Sequence, residues 1–191
     1  MKDEKLQVPD IQCLGSEIVF ACPWYQVRRD RLIWPDGTAG EYNVLEAPRS
    51  IFVVPVTPAG EIVLIRQYRY TTQRWVWEVP AGAVKVGQTL EEAVAMELRE
   101  EVGGVSDHIV LLGEFETANG RSDEIAHIFM ASDVILGEND LESAEILTIH
   151  PTSITQIRHM LATNQIKDAP SALGIMLALQ YIQDSIEVLG N

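Results

Sequence analysis

An α+β fold is predicted for this chain of 191 residues, and three features of the sequence predict it. Short β-branched and aromatic runs, punctuated by Pro, Gly and Asp, fill much of the stretch from residue 16 to residue 70. A capped acidic helix follows at about 89–102. Two more helical periodicities close the chain, and the order of elements leaves few parallel crossovers, which favours segregated helices and strands over a regular βαβ alternation.

Taken in order, Ile18-Val19-Phe20 and Trp24 to Trp34 suggest two strands, and Pro35-Asp36-Gly37-Thr38 reads as the turn after them. Glu41 to Leu45 continues as strand. Ser50 to Thr57 is an apolar β-branched run that Pro58-Ala59-Gly60 turns into Glu61 to Tyr70, a hairpin-like unit. Trp77 to Gly82 looks like a strand end running into a loop. Strands are expected at 108–117 and 124–132, with a short one at 146–150. Thr152 to Thr163 and Ser171 to Val188 carry helical periodicity, with Ser171 as a candidate cap.

The helix at 89–102 has local causes. Thr89 followed by Glu92 is a capping-box spacing. Leu90, Val94, Leu98 and Val102 recur every fourth residue and form one apolar stripe. Gly103 suits the left-handed conformation that ends a helix. Glu97, Glu100 and Glu101 stand at i, i+3 and i+4 beside the stripe, while Glu92 and Arg99 lie opposite it. Like charges at those spacings oppose helix formation by roughly 0.2–0.5 kcal/mol per pair. A hard divalent cation with oxygen ligands relieves that repulsion. On spacing alone, an acidic amphipathic helix with no ligand is the other reading.

Composition excludes several classes. Lys and Arg number 14 against 28 Asp and Glu, a net charge of −14 that argues against binding polymeric nucleic acid. It leaves room for a small phosphorylated substrate held by a metal and a few local arginines. No run of about eighteen apolar residues predicts a membrane span. The N-terminus Met1-Lys2-Asp3-Glu4-Lys5 lacks the apolar run of a signal peptide, so a cytoplasmic protein is expected. Cys13 and Cys22 lack metal-ligand spacing and read as reduced thiols, a disulfide across neighbouring strands being the alternative. His108, His127, His150 and His159 show no zinc spacing, and His127 reads as a satisfied core histidine.

Gly82 to Gly104, GAVKVGQTLEEAVAMELREEVGG, resembles the Nudix box, Gx5Ex7REUxEExGU. Gly82, Glu97-Leu98, Glu100, Glu101 and Gly103 fit the pattern. Gln88 stands in place of its first Glu, Met96 in place of its Arg, and Gly104 in place of a larger apolar residue. The first two departures read as the joint loss of an internal ion pair, which is far cheaper than losing one partner. The segments 64–70, 77–82, 120–124 and 127–129 are similar to the branch of the family that contains ADP-ribose and other nucleotide-sugar pyrophosphatases. Asn119 departs from that branch, where ADP-ribose hydrolases usually carry proline.

The resemblance implies a Nudix-like α/β/α sandwich of mixed sheet and flanking helices over residues 46–191, with residues 1–45 as an antiparallel extension that supports a homodimer. It implies metal-dependent hydrolysis of a nucleoside diphosphate linked to a sugar, ADP-ribose foremost. The alternatives are another nucleotide-sugar pyrophosphatase, acting on an ADP-, GDP- or UDP-sugar, and a non-catalytic nucleotide-sugar-binding protein. Carried onto this chain, Glu97, Glu100, Glu101 and the Ala81 carbonyl are the expected ligands of Mg²⁺, with Mn²⁺ as substitute. Glu100 is also a candidate catalytic group. Glu142 and Glu145 lie where the branch keeps its loop carboxylate, the expected general base, and ordinary exposed acids are the other reading. Arg66, Arg69, Arg121 and Trp34 are the expected substrate contacts.

Overall fold

The computed structural model describes residues 7–138, 140 and 146–189. Backbone contacts divide the chain into two compact units, one comprising residues 1–48 and 118–124, the other residues 49–117 and 125–191.

The first unit is a three-stranded antiparallel sheet in the order β1-β2-β3, from β1 (Gln12–Ala21), β2 (Gln26–Ile33) and β3 (Ala39–Glu46). The turn expected at 35–38 joins β2 to β3. There Asp36 accepts from the Thr38 amide at 3.0 Å and the Trp34 amide donates to the Thr38 carbonyl at 2.8 Å. Loop 118–124 is tied to β3 by the Leu45 amide donating to the Arg121 carbonyl at 2.8 Å and the Ser122 hydroxyl donating to the Leu45 carbonyl at 3.0 Å. Arg28 joins Asp30 and Glu46 in ion pairs. Cys13 lies in β1 and Cys22 just past its end. Nine residues of extended chain separate them by on the order of 30 Å, and both are free thiols.

The second unit holds two sheets and three helices. One sheet runs β10-β5-β6 and the other β7-β4-β9-β8. The strands are β4 (Ser50–Pro55), β5 (Ile62–Arg69), β6 (Arg74–Glu78), β7 (Ala81–Ala83), β8 (His108–Glu116), β9 (Ile125–Ser132) and β10 (Leu147–Thr152). β4 and β9 run parallel, and every other pairing is antiparallel. The helices are α1 (Leu90–Val102), α2 (Ile154–Ala162) and α3 (Ala169–Leu189).

Strand alternation sends neighbouring residues to opposite faces and builds two cores. Ile51, Val53, Val63, Ile65, Phe129 and Ala131 pack against Val94, Leu98 and Val102 of α1. Val54, Ile62, Leu64 and Met130 pack against Ile157 and Met160 of α2 and Ile175, Ala178 and Leu179 of α3. Helices thus cover both faces of mixed sheet, the α/β/α layering of an α+β fold.

Several local features differ from the sequence expectation. The runs 50–57 and 61–70, expected as a hairpin-like unit, fall in different sheets as β4 and β5 and meet at a Val56–Ile62 bridge beside the turn. Ala81–Ala83 forms a short strand against β4 where a loop was expected. α3 begins two residues earlier than expected, and Asp168 sits at its cap, with its carboxylate accepting from the Ser171 amide at 2.9 Å. Ser171 is therefore inside the first turn. Among the described residues, no helix is long and apolar enough to cross a membrane.

Candidate active site

The site is built around α1. Its start is the expected capping box: the Glu92 amide donates to the Thr89 hydroxyl at 3.1 Å, and the Thr89 amide donates to the Glu92 carboxylate at 2.9 Å. Its end is Gly103 at φ 63°, where any other residue would be strained. With both ends fixed and the Val94–Leu98–Val102 stripe buried, the faces of the helix are set. Glu92 and Arg99 are exposed, as the spacing requires. Glu97 and Glu101 are enclosed, at 8% and 2% exposure, and Glu100 is half-buried at the margin.

Two buried carboxylates are costly unless charge and hydrogen bonds compensate them. The strand facing α1 supplies part of that compensation. The Ala81 amide donates to Glu101 Oε2 at 3.0 Å. Glu97 lies directly over Gly82, where a Cβ would overlap its carboxylate. The first glycine of the box is therefore required for space, and its missing side chain is the seat of the Glu97 carboxylate.

β5 and β6 border the same face. Arg69 donates from Nε to both oxygens of Glu78, at 3.0 and 3.1 Å, and from Nη2 to Oε2 at 2.5 Å. Glu78 is buried, whereas the Arg69 side chain is 44% exposed and keeps a solvent-facing edge. The Arg69 guanidinium is held above its ordinary pKa, chiefly by its hydrogen bonds to Glu78, which outweigh the burial that lowers it; the charges of Glu78, Glu101 and Asp168 add to the rise. Arg69 therefore lies in the field of Glu101. Gln67, on the same side of β5, is buried, and its Oε1 has no hydrogen-bond partner among the described residues. Buried polar atoms without partners are uncommon, and a place in a ligand site is one physical reason for them.

The expected substrate residues separate in space. Val63, Ile65, Gln67 and Arg69 share the α1 side of β5, while Arg66 follows Ile62 and Leu64 to the other side. There its guanidinium lies 5.3 Å from the centre of the Trp77 ring, beside a cleft of about 240 Å³ lined by Arg66, Trp75 and Thr148. Arg66 and Arg69 thus serve opposite faces. Trp34 and Arg121 belong to the first unit, where the Trp34 indole lies over Gly40 and Arg121 is exposed. Glu142 and Glu145 lie outside the described residues. The chain on either side of them is anchored: the Asp140 amide donates to the Glu100 carbonyl at 3.0 Å, and the Tyr68 amide donates to the Ile146 carbonyl at 3.1 Å.

Gln88 and Met96 are in contact, with Gln88 Nε2 at 3.5 Å from Met96 Sδ. Gln88 also accepts from the Lys85 amide at 3.0 Å, and Lys85 Nζ lies 3.5 Å from the same sulfur. The two departures from the box therefore touch each other and still join the loop to the helix. Met96→Arg alone should fail to raise activity, because a guanidinium there meets Lys85 and an uncharged Gln88. A clear gain in kcat/KM from this single change would refute the paired substitution. His127 is buried, but its Nδ1 has no hydrogen-bond partner among the described residues and its Nε2 is 3.6 Å from Glu114, so it is less satisfied than a core histidine should be.

The donors available to a cation are oxygens: the carboxylates of Glu97, Glu101 and Glu100 and the backbone carbonyl of Ala81 at the start of β7. That set suits Mg²⁺ or Mn²⁺ and not a soft metal. Among the described residues, no three acidic, His or Cys side chains converge as a preformed metal cluster.

The NUDIX domain family matches residues 46–172, two-thirds of the chain. This chain belongs to the Nudix family. Its place there makes it a pyrophosphohydrolase. The nucleoside diphosphate sugar hydrolase N-terminal domain matches residues 11–45. An ADP-ribose pyrophosphatase of Bacillus subtilis is 28% identical over 78% of this chain and 80% of its own length. A methanol dehydrogenase activator of Bacillus methanolicus is 25% identical over 89% and 91%. Among solved structures, an ADP compounds hydrolase superposes with a TM-score of 0.82 at 21% identity, covering 95% of this chain and 98% of that one, a likeness of fold. For this Nudix chain, the residues that the sequence did not single out are Glu78, Gln67 and Asp168. Glu78 is revealed by its pairing across strands and Gln67 by its unpartnered buried oxygen, neither of which spacing carries, whereas Asp168 has a local signal, an acid three residues ahead of Ser171 at a helix start.

Proposed function

We infer that this Nudix enzyme hydrolyses the pyrophosphate bond of a nucleoside diphosphate linked to a sugar, ADP-ribose foremost, taking up one water and releasing AMP and ribose 5-phosphate. The observation that carries the reading is the enclosure of Glu97 and Glu101 against Ala81 and Gly82, with a half-exposed arginine on the same face. The similarity to an ADP-ribose pyrophosphatase supports the choice of substrate.

Glu97, Glu101 and the Ala81 carbonyl would hold Mg²⁺, with Glu100 at the margin as a further ligand. When bound, the metal neutralises diphosphate charge and lowers the pKa of a bound water. The Ala81 amide holds the Glu101 carboxylate in one orientation. Glu78 fixes the planar guanidinium of Arg69, leaving its outer edge to meet a phosphate oxygen. Gln67 offers an acceptor beside it to a sugar or base donor. A loop carboxylate, Glu142 or Glu145, takes the proton of the attacking water. Arg121 and Trp34 stay as candidate contacts to the remainder of the substrate.

A homodimer belongs to the same reading. Leu14, Ile18 and Phe20 of β1 and the neighbouring Trp24 are all exposed in the single chain, between 49% and 74%. A three-stranded sheet stripped of a covered apolar face is marginal in water. A second copy would cover it.

Asn119 and the Gln88–Met96 pair favour two further readings, another nucleotide sugar as substrate or binding without turnover. Purified protein incubated with Mg²⁺ and a panel of ADP-, GDP- and UDP-sugars should release AMP and ribose 5-phosphate fastest from ADP-ribose. Faster turnover of another sugar would move the substrate. Thermal stabilisation by these compounds with no product from any would establish the non-catalytic reading.

A further inference from the structure

The backbone between β6 and β7 changes sheets within two residues. Glu78 still pairs with Ile65 of β5, and Ala81 already pairs with Phe52 of β4. Val79 and Pro80, both buried, lie in neither ladder. Their backbone groups need other partners. Pro80 has no N–H to place, and its carbonyl accepts from the Val53 amide at 2.9 Å. The Val79 amide donates to the Ser171 hydroxyl at 3.1 Å, across 92 positions of sequence.

Ser171 is ill suited to its own helix. It is fully buried in the first turn of α3, where alanine would be the better helix former. The cap is already supplied by Asp168. A serine serving only its helix turns its hydroxyl back to a carbonyl one turn earlier. Ser171 instead donates to Asp168 Oδ2 at 2.6 Å, which directs its lone pair toward Val79. The strap that carries the site is thus held at successive residues by different elements: Glu78 by Arg69, Val79 by Ser171, Pro80 by β4, and Ala81 by Glu101.

The geometry points to Ser171, oriented by Asp168, as a positioning residue for the metal site: it fixes where the strand crosses between sheets and so sets the register of Ala81 and Gly82 against Glu101 and Glu97. This rests on the metal site proposed above.

The test is Mn²⁺ binding by calorimetry, with the Mg²⁺ dependence of ADP-ribose turnover measured in parallel and melting curves recorded for each protein. Loss of an outer contact to a metal site costs about 10–100-fold in metal affinity, so Ser171→Ala should weaken Mn²⁺ binding by about tenfold and raise the Mg²⁺ needed for half-maximal rate to match. Saturating Mg²⁺ should restore most of kcat. Asp168→Ala, at a less buried position, should shift binding the same way. Asp168→Asn, which keeps an acceptor for the Ser171 hydroxyl, should stay closer to wild type than Asp168→Ala does. A lower melting temperature with Mn²⁺ affinity unchanged in both Ser171→Ala and Asp168→Ala would overturn the inference and leave the metal site standing. If the wild-type protein itself binds no Mn²⁺, the metal site fails, and the inference with it.

Discussion

Replacing Glu101 with Gln should lower kcat with ADP-ribose and Mg²⁺ by more than about 100-fold, the upper end of what losing an outer-shell contact costs. The physical case is that Gln keeps nearly everything except the charge. Its amide oxygen can still accept from the Ala81 N–H, and its volume is the same. What disappears is one negative oxygen donor from a set of few. Stability should move little, because two changes oppose each other. The helix loses like-charge repulsion with Glu97, four residues earlier on the same face, worth roughly 0.2–0.5 kcal/mol. It also loses attraction to the charge of Arg69. A net change within about 1 kcal/mol moves the melting temperature by about 2–4 °C in a chain of this size. Steady-state kinetics and a melting curve on the same preparation check both halves. Near-normal turnover would remove Glu101 from the ligand set.

The acidic helix was legible in the sequence because every determinant is local. Thr89, Glu92 and Gly103 bound it, and the four-residue stripe orients it, so the enclosure of Glu97 and Glu101 follows from counting. Most strands were legible to within a few residues for the same reason, whereas β7 read as loop. That Arg66 and Arg69 take opposite faces of β5 follows from their odd spacing; which of them shares a face with α1 was not legible. Polar and apolar residues would have to alternate along β5 to mark its core side, but Ile62, Val63, Leu64 and Ile65 are all buried, since helices cover both faces of that strand. A strand buried on both sides reads as a continuous apolar run and hides which side meets α1. The Arg69–Glu78 pair needs the β5–β6 register, and the Ser171–Val79 bond needs α3 brought against a strand 92 positions away. Ser171 looked like a cap because a serine ahead of an apolar run usually is one. The cap falls on Asp168, three residues earlier, and frees the serine for a contact that no local pattern encodes.

Gly82→Ala should be nearly as damaging as loss of a ligand, although it adds only a methyl group. A Cβ at position 82 overlaps the Glu97 carboxylate, and Gly82 is held in β7 opposite Ile51, so the backbone has little room to retreat. The carboxylate is the end of a flexible side chain and is the part that yields. Its displacement leaves the fold largely intact while moving one ligand, and a shift of about 1 Å at a reacting centre can cost about 100-fold. The expected outcome is a fall in kcat/KM of that order with a modest change in melting temperature. A double-mutant cycle with Glu97→Ala decides the cause. Residues that act through one another are strongly non-additive, so if the methyl acts only by evicting Glu97, Gly82→Ala should cost almost nothing further once Glu97 is alanine. Full additivity of the two losses would mean that the glycine serves some purpose other than seating that carboxylate.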